Sequence, residues 1–330
     1  MAINIARRKF IAALGGASLV WPLAARAQQP AMPVIGFLHP ASPEPFARPV
    51  AAFRAGLNET GYVDGRNTMI EFRWAEGQYD RLPALAADLV GRQVAVIAAV
   101  SPPAAIAAKA ATTAIPIVFT TGDDPVKNGL VSSLNRPGGN VTGVNIFTGV
   151  LDGKRLELLS EMVPKATVVA VLLNPTNPQS QSYEDAAQSA ASAIGRQVAV
   201  LKASNEPDFE GAFAAISERR IGALLVGSDI FFNGRRDQLV ALAARHAVPA
   251  MYEFREFADA GGLMSYGTSL AETYRQTGIY VGEILKGASP ADLPVVQSTK
   301  FEFVINLKAA KELGLTVPPS LLIAADDVVQ

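Results

Sequence analysis

The sequence predicts an α/β protein built as two doubly wound, Rossmann-like lobes joined by a hinge that the chain crosses three times. Three observations lead there. From Pro33 onward, short β-branched runs alternate with alanine-rich stretches, the pattern of a parallel sheet covered by helices on both faces. The octapeptide GFLHPASP at 36–43 returns in the second half as VLLNPTNP at 171–178, with the same apolar run, polar residue and spaced prolines. At 330 residues the chain is longer than one compact α/β core usually holds.

Taken in order, the first half predicts a strand at 34–38, a helix at 47–60 ended by Gly61, and a strand at 68–73. A helix at 82–90, a buried strand at 94–100, a helix at 104–113 and a strand at 117–120 follow, and a helix near 126–134 leads to a strand at 141–145. The second half repeats this grammar: strand 168–173, helix 183–194, strand 197–202, helix 209–219, strand 223–226, helix 239–246, strand 250–253 and strand 263–266. Ile115-Pro116 and Val248-Pro249 both introduce a fourth strand, and paired glycines precede both fifth strands. An amphipathic helix at 270–285, a Gly/Ser/Pro-rich stretch at 287–294, a strand at 301–305, a helix at 307–313 and a tail complete the chain. If the 270–285 helix packs on the first lobe and the 301–305 strand joins the second, the connections number three, which suits hinge closure. The expected lobes are 33–145 with 268–288, and 146–267 with 289–330.

Each quoted octapeptide is then the first strand of a lobe plus the loop leaving its carboxyl end, where proline stops the strand. Ligands of such sheets bind outside the carboxyl ends of the strands, where strand order reverses. Two lobes with those ends facing each other form a cleft lined from both sides.

Residues 1–27 read as an export signal. Arg7, Arg8 and Lys9 precede an apolar run from Phe10 to Leu23, and Ala25-Arg26-Ala27 supplies a small-residue cleavage pattern. The adjacent arginines give it a twin-arginine character. Its removal leaves 25 basic residues against 30 acidic ones, a net charge of −5. A mildly acidic protein without Lys/Arg clusters is a poor ligand for polyanions, so nucleic acid is excluded as a partner. There is no cysteine, hence no disulfide, thiolate metal site or cysteine nucleophile.

The loops after the strands supply the candidate site. Ser101 stands just before Pro102-Pro103 at a helix start, as an N-cap or as a hydroxyl beside a carboxylate site. Strand four ends in Thr120-Thr121-Gly122-Asp123-Asp124; Asp124 before Pro125 reads as a cap, whereas Thr121 and Asp123 face the cleft. By the internal repeat, Ser101 corresponds to Asp229 and Thr120 to Glu253. One lobe thus offers hydroxyls and helix N-termini for a carboxylate, and the other offers carboxylates for an ammonium group, which together describe an α-amino acid zwitterion. Asp229 and Glu253 solvated, or paired with Arg235 or Arg255, is the competing arrangement. Asn174 matches His39 in the repeat, and both sit at first-strand ends, while Tyr252, Tyr266, Phe37, Phe231, Phe232 and Phe254 gather at the same ends as core or as a box for a ring.

Turnover finds no support. The two histidines, His39 and His246, lie far apart, and Asp123-Asp124 lacks a spaced set of oxygen ligands. There is no G-x-S-x-G elbow, no G-x-G-x-x-G, and GVLDGK at 149–154 is one residue short of a phosphate loop. Neither enzyme activity, cofactor nor metal is expected.

The segments GLNETGYVDGRN at 56–67, AEGQYDRLPALAADLV at 75–90, IPIVF at 115–119, DPVKNGLVSSLNRPGGNVTG at 124–143 and SYG at 265–267 carry a family resemblance. Over the whole mature chain the sequence resembles the substrate-binding proteins of ABC transporters with the type I periplasmic-binding fold, tryptophan/tyrosine-type subgroup. The resemblance implies a monomeric, non-catalytic periplasmic protein that captures a small ligand, most simply an aromatic amino acid, and hands it to an inner-membrane ABC permease. A periplasmic sensor subunit for a membrane signalling partner, and a binder of aromatic carboxylates other than amino acids, are the alternatives.

Overall fold

The computed structural model describes residues 32–146, 151–298 and 300–330. The export-signal expectation at 1–27 and the first two residues of the GVLDGK segment lie outside the described residues; the rest of that segment opens a helix rather than a phosphate loop. The first lobe runs β1 (Val34–His39), α1 (Ala47–Glu59), β2 (Met69–Trp74), α2 (Leu82–Gly91), β3 (Val96–Val100), α3 (Pro102–Ala111), β4 (Ile117–Thr121) and β5 (Val141–Asn145). Strands β3, β4 and β5 are buried at every position, as expected of central parallel strands covered on both faces.

The chain then enters the second lobe through α4 (Asp152–Met162), followed by β6 (Val168–Leu173), α5 (Ser180–Ala193), β7 (Gln197–Lys202), α6 (Glu206–Glu218) and β8 (Ala223–Val226). Two short helices follow, α7 (Ile230–Gly234) and α8 (Arg236–Arg245), then β9 (Ala250–Tyr252), α9 (Arg255–Asp259) and β10 (Met264–Thr268). The closing elements are α10 (Leu270–Leu285), β11 (Val296–Gln297), β12 (Phe301–Asn306), α11 (Leu307–Glu312), α12 (Pro319–Ala324) and β13 (Asp327–Val329).

The sheets have the orders β11-β5-β4-β3-β1-β2 and β13-β12-β10-β9-β8-β6-β7. Stripped of their late-added edges, they read 5-4-3-1-2 in each lobe's own numbering, so the repeat in the sequence is a repeat of topology. In both, strand order reverses between the first and third strands, which places the ligand crevice there. All pairings are parallel except β10 with β12.

The hinge differs from expectation in one detail. Helix α10 packs on α1 of the first lobe, and β12 pairs with β10 of the second. Between them β11 pairs with β5 of the first sheet, so the third crossing follows Gln297 rather than residue 288.

The helix expected near 126–134 is absent. Asp124 Oδ1 accepts from the backbone N–H groups of Val126 and Lys127, and Gly129 at φ 65° turns the chain after a single turn. Leu130 N–H returns to Pro125 O, and Lys109 Nζ holds Leu130 O from the side at 3.1 Å. Asp124 therefore does cap a turn, but the glycine ends it before a helix can propagate. Among the described residues no helix is long and apolar enough to cross a membrane.

Candidate ligand-binding site

The carboxyl ends of both sheets converge on one cavity lined by residues of both lobes. The first lobe contributes Ser101 after β3 and Thr120, Thr121 and Gly122 at the end of β4. The second contributes Ser228 and Asp229 after β8 and Glu253 and Phe254 after β9. Tyr274 and Leu270 approach from α10 at the hinge. Ser101 and Asp229, matched by the repeat, thus look into the same space.

Ser101 is the most unusual of these residues. Its backbone has φ 82° and ψ 156°, a region that is almost exclusively glycine's, and its Oγ is buried without a hydrogen-bond partner. It occupies the N-cap position of α3 but does not cap with its side chain. The helix behind it starts with two prolines, which donate no N–H, so the hydroxyl supplements the positive end of the helix dipole at the cavity wall. Thr121 Oγ1 accepts from Asp123 N–H, and Thr120 Oγ1 shares a hydrogen bond with Thr277 Oγ1 of α10.

Asp229 is not available in the way the sequence suggests. Oδ1 accepts from Phe231 N–H at 2.8 Å and Asn174 Nδ2 at 3.3 Å; Oδ2 accepts from Asn177 Nδ2 at 2.7 Å and Tyr79 O–H at 3.0 Å. Four donors fill the four lone-pair directions of a carboxylate. Burial raises its pKa, and these donors oppose the rise. Neither expected arginine reaches it: Arg235 pairs with Glu206, and Arg255 with Asp259, Glu302 and Asp327. Asp229 is thus the N-cap of α7 and a joint between lobes, because Tyr79 belongs to the first lobe.

A reciprocal joint lies opposite. Tyr183 of α5 donates to Asp123 Oδ1 at 2.8 Å, second lobe to first. Both tyrosines are held protonated by burial and by the neighbouring carboxylates, and burial raises the pKa of Asp123. Arg236 of α8 also bonds Pro45 O of the first lobe at 3.2 Å, so the lobes are in closed contact.

Behind the cavity, Arg155 of α4 is fully buried. It donates to Tyr266 O at 2.8 Å, Asp152 Oδ1 at 2.7 Å and Ser228 Oγ at 3.3 Å, tying β10 to the end of β8. Burial raises the pKa of Asp152, and the guanidinium counters it.

Five expected contacts lie outside the cavity lining: Asp123, which Tyr183 holds, Asn174, which bonds Asp229, and His39, Tyr252 and Tyr266. His39 is fully buried; Ala41 N–H donates to its Nδ1 at 3.0 Å, which leaves the proton on Nε2 to donate to Tyr274 oxygen at 2.9 Å. Its ring packs against Phe46 and Trp74, and burial lowers its pKa to about 3. Tyr252 stacks on Phe257 at 4.6 Å in the core, because the pleat turns it to the face it shares with Ala250. Tyr266 packs edge-on against Phe303 and gives only its carbonyl to Arg155. Asn174 acts one shell back, through Asp229. Conversely, Tyr79, Asn177, Tyr183 and Asn233 line the cavity without having been singled out from the sequence.

A family model described as ABC transporter substrate binding protein matches residues 37–329. The chain is 29% identical over 263 residues to a tyrosine-binding protein of Clostridioides difficile (strain R20291), covering 80% of this chain and 75% of that one. It is similar to the solved ABC domain from Streptococcus pneumonia in complex with L-Trp, with TM-score 0.80 and 26% identity over 90% of this chain and 99% of that one. A ligand-free, open substrate-binding protein with adhesive properties from Clostridium difficile, 27% identical over the same shares, superposes with TM-score 0.63. At nearly equal identity, the greater likeness to the ligand-bound structure agrees with the closed contact between lobes. The strand orders are those of two doubly wound lobes of the type I periplasmic-binding fold, and the chain belongs to the ABC transporter substrate-binding proteins, a family of binding proteins and not of enzymes.

Proposed function

We propose that this protein captures a free aromatic L-amino acid between its lobes, as a periplasmic monomer, and presents it to an inner-membrane ABC permease. One observation carries the reading: a single cavity has an unpartnered, strained serine hydroxyl at a helix start on one wall and the Glu253 carboxylate on the other. The first suits the ligand carboxylate, with Thr121 beside it; the second suits the ammonium group. Glu253 takes the role that the repeat gave to Asp229, whose lone pairs are filled. Tyr79, Tyr183, Tyr274 and Phe254 supply ring surface between these poles. The tyrosine and tryptophan named for the two relatives point to the same ligand class.

Isothermal titration of the purified protein tests this. L-tyrosine or L-tryptophan should bind, and tryptamine and indole-3-propionate, each lacking one charged group, should bind at least about tenfold more weakly, since hydrogen bonds to charged groups contribute about 1.5–3 kcal/mol. Equal affinity for indole-3-propionate would instead make the protein a binder of aromatic carboxylates.

A further inference from the structure

Tyr274 lines the cavity from α10 with its hydroxyl oxygen already engaged, and the direction of that bond is fixed. Ala41 N–H donates to His39 Nδ1, so the neutral imidazole carries its proton on Nε2 and gives it to the tyrosine oxygen at 2.9 Å. Burial keeps the phenol protonated, so Tyr274 retains an O–H of its own. Among the described residues nothing accepts that proton: the contact with His39 is the hydroxyl's sole hydrogen bond, and Glu256, whose carboxylate also raises the phenol's pKa, makes no hydrogen bond with it and does not line the cavity. Tyr274 is 1% exposed, so bulk water does not take the proton either, and a buried donor left unpaired is costly.

Three strand ends locate this hydroxyl. His39 ends β1, and Thr277, three residues after Tyr274 on α10, bonds Thr120 near the end of β4. Strand β3 lies between β1 and β4 in the sheet and leads into Ser101, whose N–H donates to Thr120 O. Helix α10 therefore crosses over the end of β3, and Tyr274 shares a wall of the cavity with the unpartnered Ser101 Oγ.

We infer that Tyr274 donates its O–H to the ligand carboxylate beside Ser101, and that His39 is a positioning residue that holds this donor toward the cavity. Of the charged and polar groups of a tryptophan zwitterion only the carboxylate accepts; the ammonium group and the indole N–H donate. Its oxygens offer four lone-pair directions, more than one serine hydroxyl fills. An imidazole with a fixed tautomer suits the task, because it gives Tyr274 a proton and leaves the hydroxyl no way to turn and donate back.

The inference rests on the aromatic amino-acid reading, and the test separates the two. The wild type, Tyr274→Phe, His39→Leu and His39→Gln are titrated with L-tryptophan and with tryptamine, which lacks the carboxylate, and ligand-free melting curves confirm that each variant folds. Tyr274→Phe, which keeps the ring, should bind tryptophan about tenfold or more weakly than the wild type does and tryptamine equally well. His39→Leu should lose part of that factor for tryptophan alone, and His39→Gln, whose carboxamide carries both an acceptor and a donor, should restore it. An equal loss for both ligands in Tyr274→Phe would make Tyr274 a packing residue and overturn the inference while leaving the aromatic ligand intact. No loss for either ligand overturns it too. An effect of His39→Leu that is absent, or equal for the two ligands, overturns the positioning role. A wild type that binds neither ligand, or that prefers tryptamine, removes the reading beneath, and the inference falls with it.

Discussion

His39 and Ser101 both stand at strand ends, of β1 and β3, and meet opposite fates. His39 follows Ile35 and Phe37 at two-residue spacing, so its ring joins the face that packs on Phe53 and Tyr274, and it becomes core. Burial makes the neutral imidazole the only comfortable form, with the pKa lowered to about 3 from 6.5. Above pH 6.5 His39 is neutral in both folded and unfolded chains and contributes no pH dependence. Below it, the unfolded chain takes up a proton that the native state refuses, so stability falls with acidification by about 1.4 kcal/mol per pH unit until the folded pKa is reached. Denaturant unfolding at pH 6.5 and pH 5 should show the wild type losing about 2 kcal/mol more than His39→Gln. Parallel losses in the two proteins would show that His39 does not carry this limb. The alternation that buries His39 and Tyr252 was legible in their strands, but it competes with a strand-end position that serves ligand contact equally well. Ser101, Thr121 and Glu253 border the cavity because each stands at or just past the carboxyl end of its strand, where position rather than alternation decides. The filled lone pairs of Asp229 were not legible, since two of its donors, Asn177 and Tyr79, come from a turn and from the other lobe.

Among the elements, α10 does most to set the hinge. It follows the second lobe in sequence yet lies on α1 of the first at very close range. A Cβ placed on Gly278 would stand 2.1 Å from Phe53 O, and one on Gly56 would stand 1.9 Å from Arg275 O. The two helices touch backbone to backbone, which only glycine permits there. Gly278→Ala should therefore cost about 1–3 kcal/mol or more of stability through overpacking, read as a lower denaturation midpoint at unchanged slope. An unchanged midpoint would mean that the contact yields freely. The amphipathic pattern of α10 was plain in the sequence, whereas its partner was a conditional inference from the hinge. Helix α4 went unrecognised although Leu156, Leu159 and Met162 mark an apolar face, because its opening residues drew attention as a failed phosphate loop. The segment after Asp124 erred in the other direction: its apolar residues suggested a helix, and Gly129 decided otherwise.

At the scale of the whole molecule, the internal repeat proved the most informative signal in the sequence. Matching half against half assigned the strands and the carboxyl ends at which a ligand would sit. It could not show how the lobes meet, because that depends on pairs far apart in the chain. The two tyrosine–aspartate joints are of this kind: Tyr79 reaches from the first lobe to Asp229, and Tyr183 from the second to Asp123. Both join one lobe to the other, so opening the lobes breaks them together and exposes the buried Asp229 and the partly buried Asp123 to water. Closure about a ligand is then a shift between two discrete arrangements, biased by contacts available only when both walls are present. Small-angle scattering of the protein with and without saturating L-tyrosine tests this most directly. The account predicts a smaller radius of gyration with ligand, as the lobes of an open population come together; identical profiles at a concentration where titration shows full occupancy would contradict it.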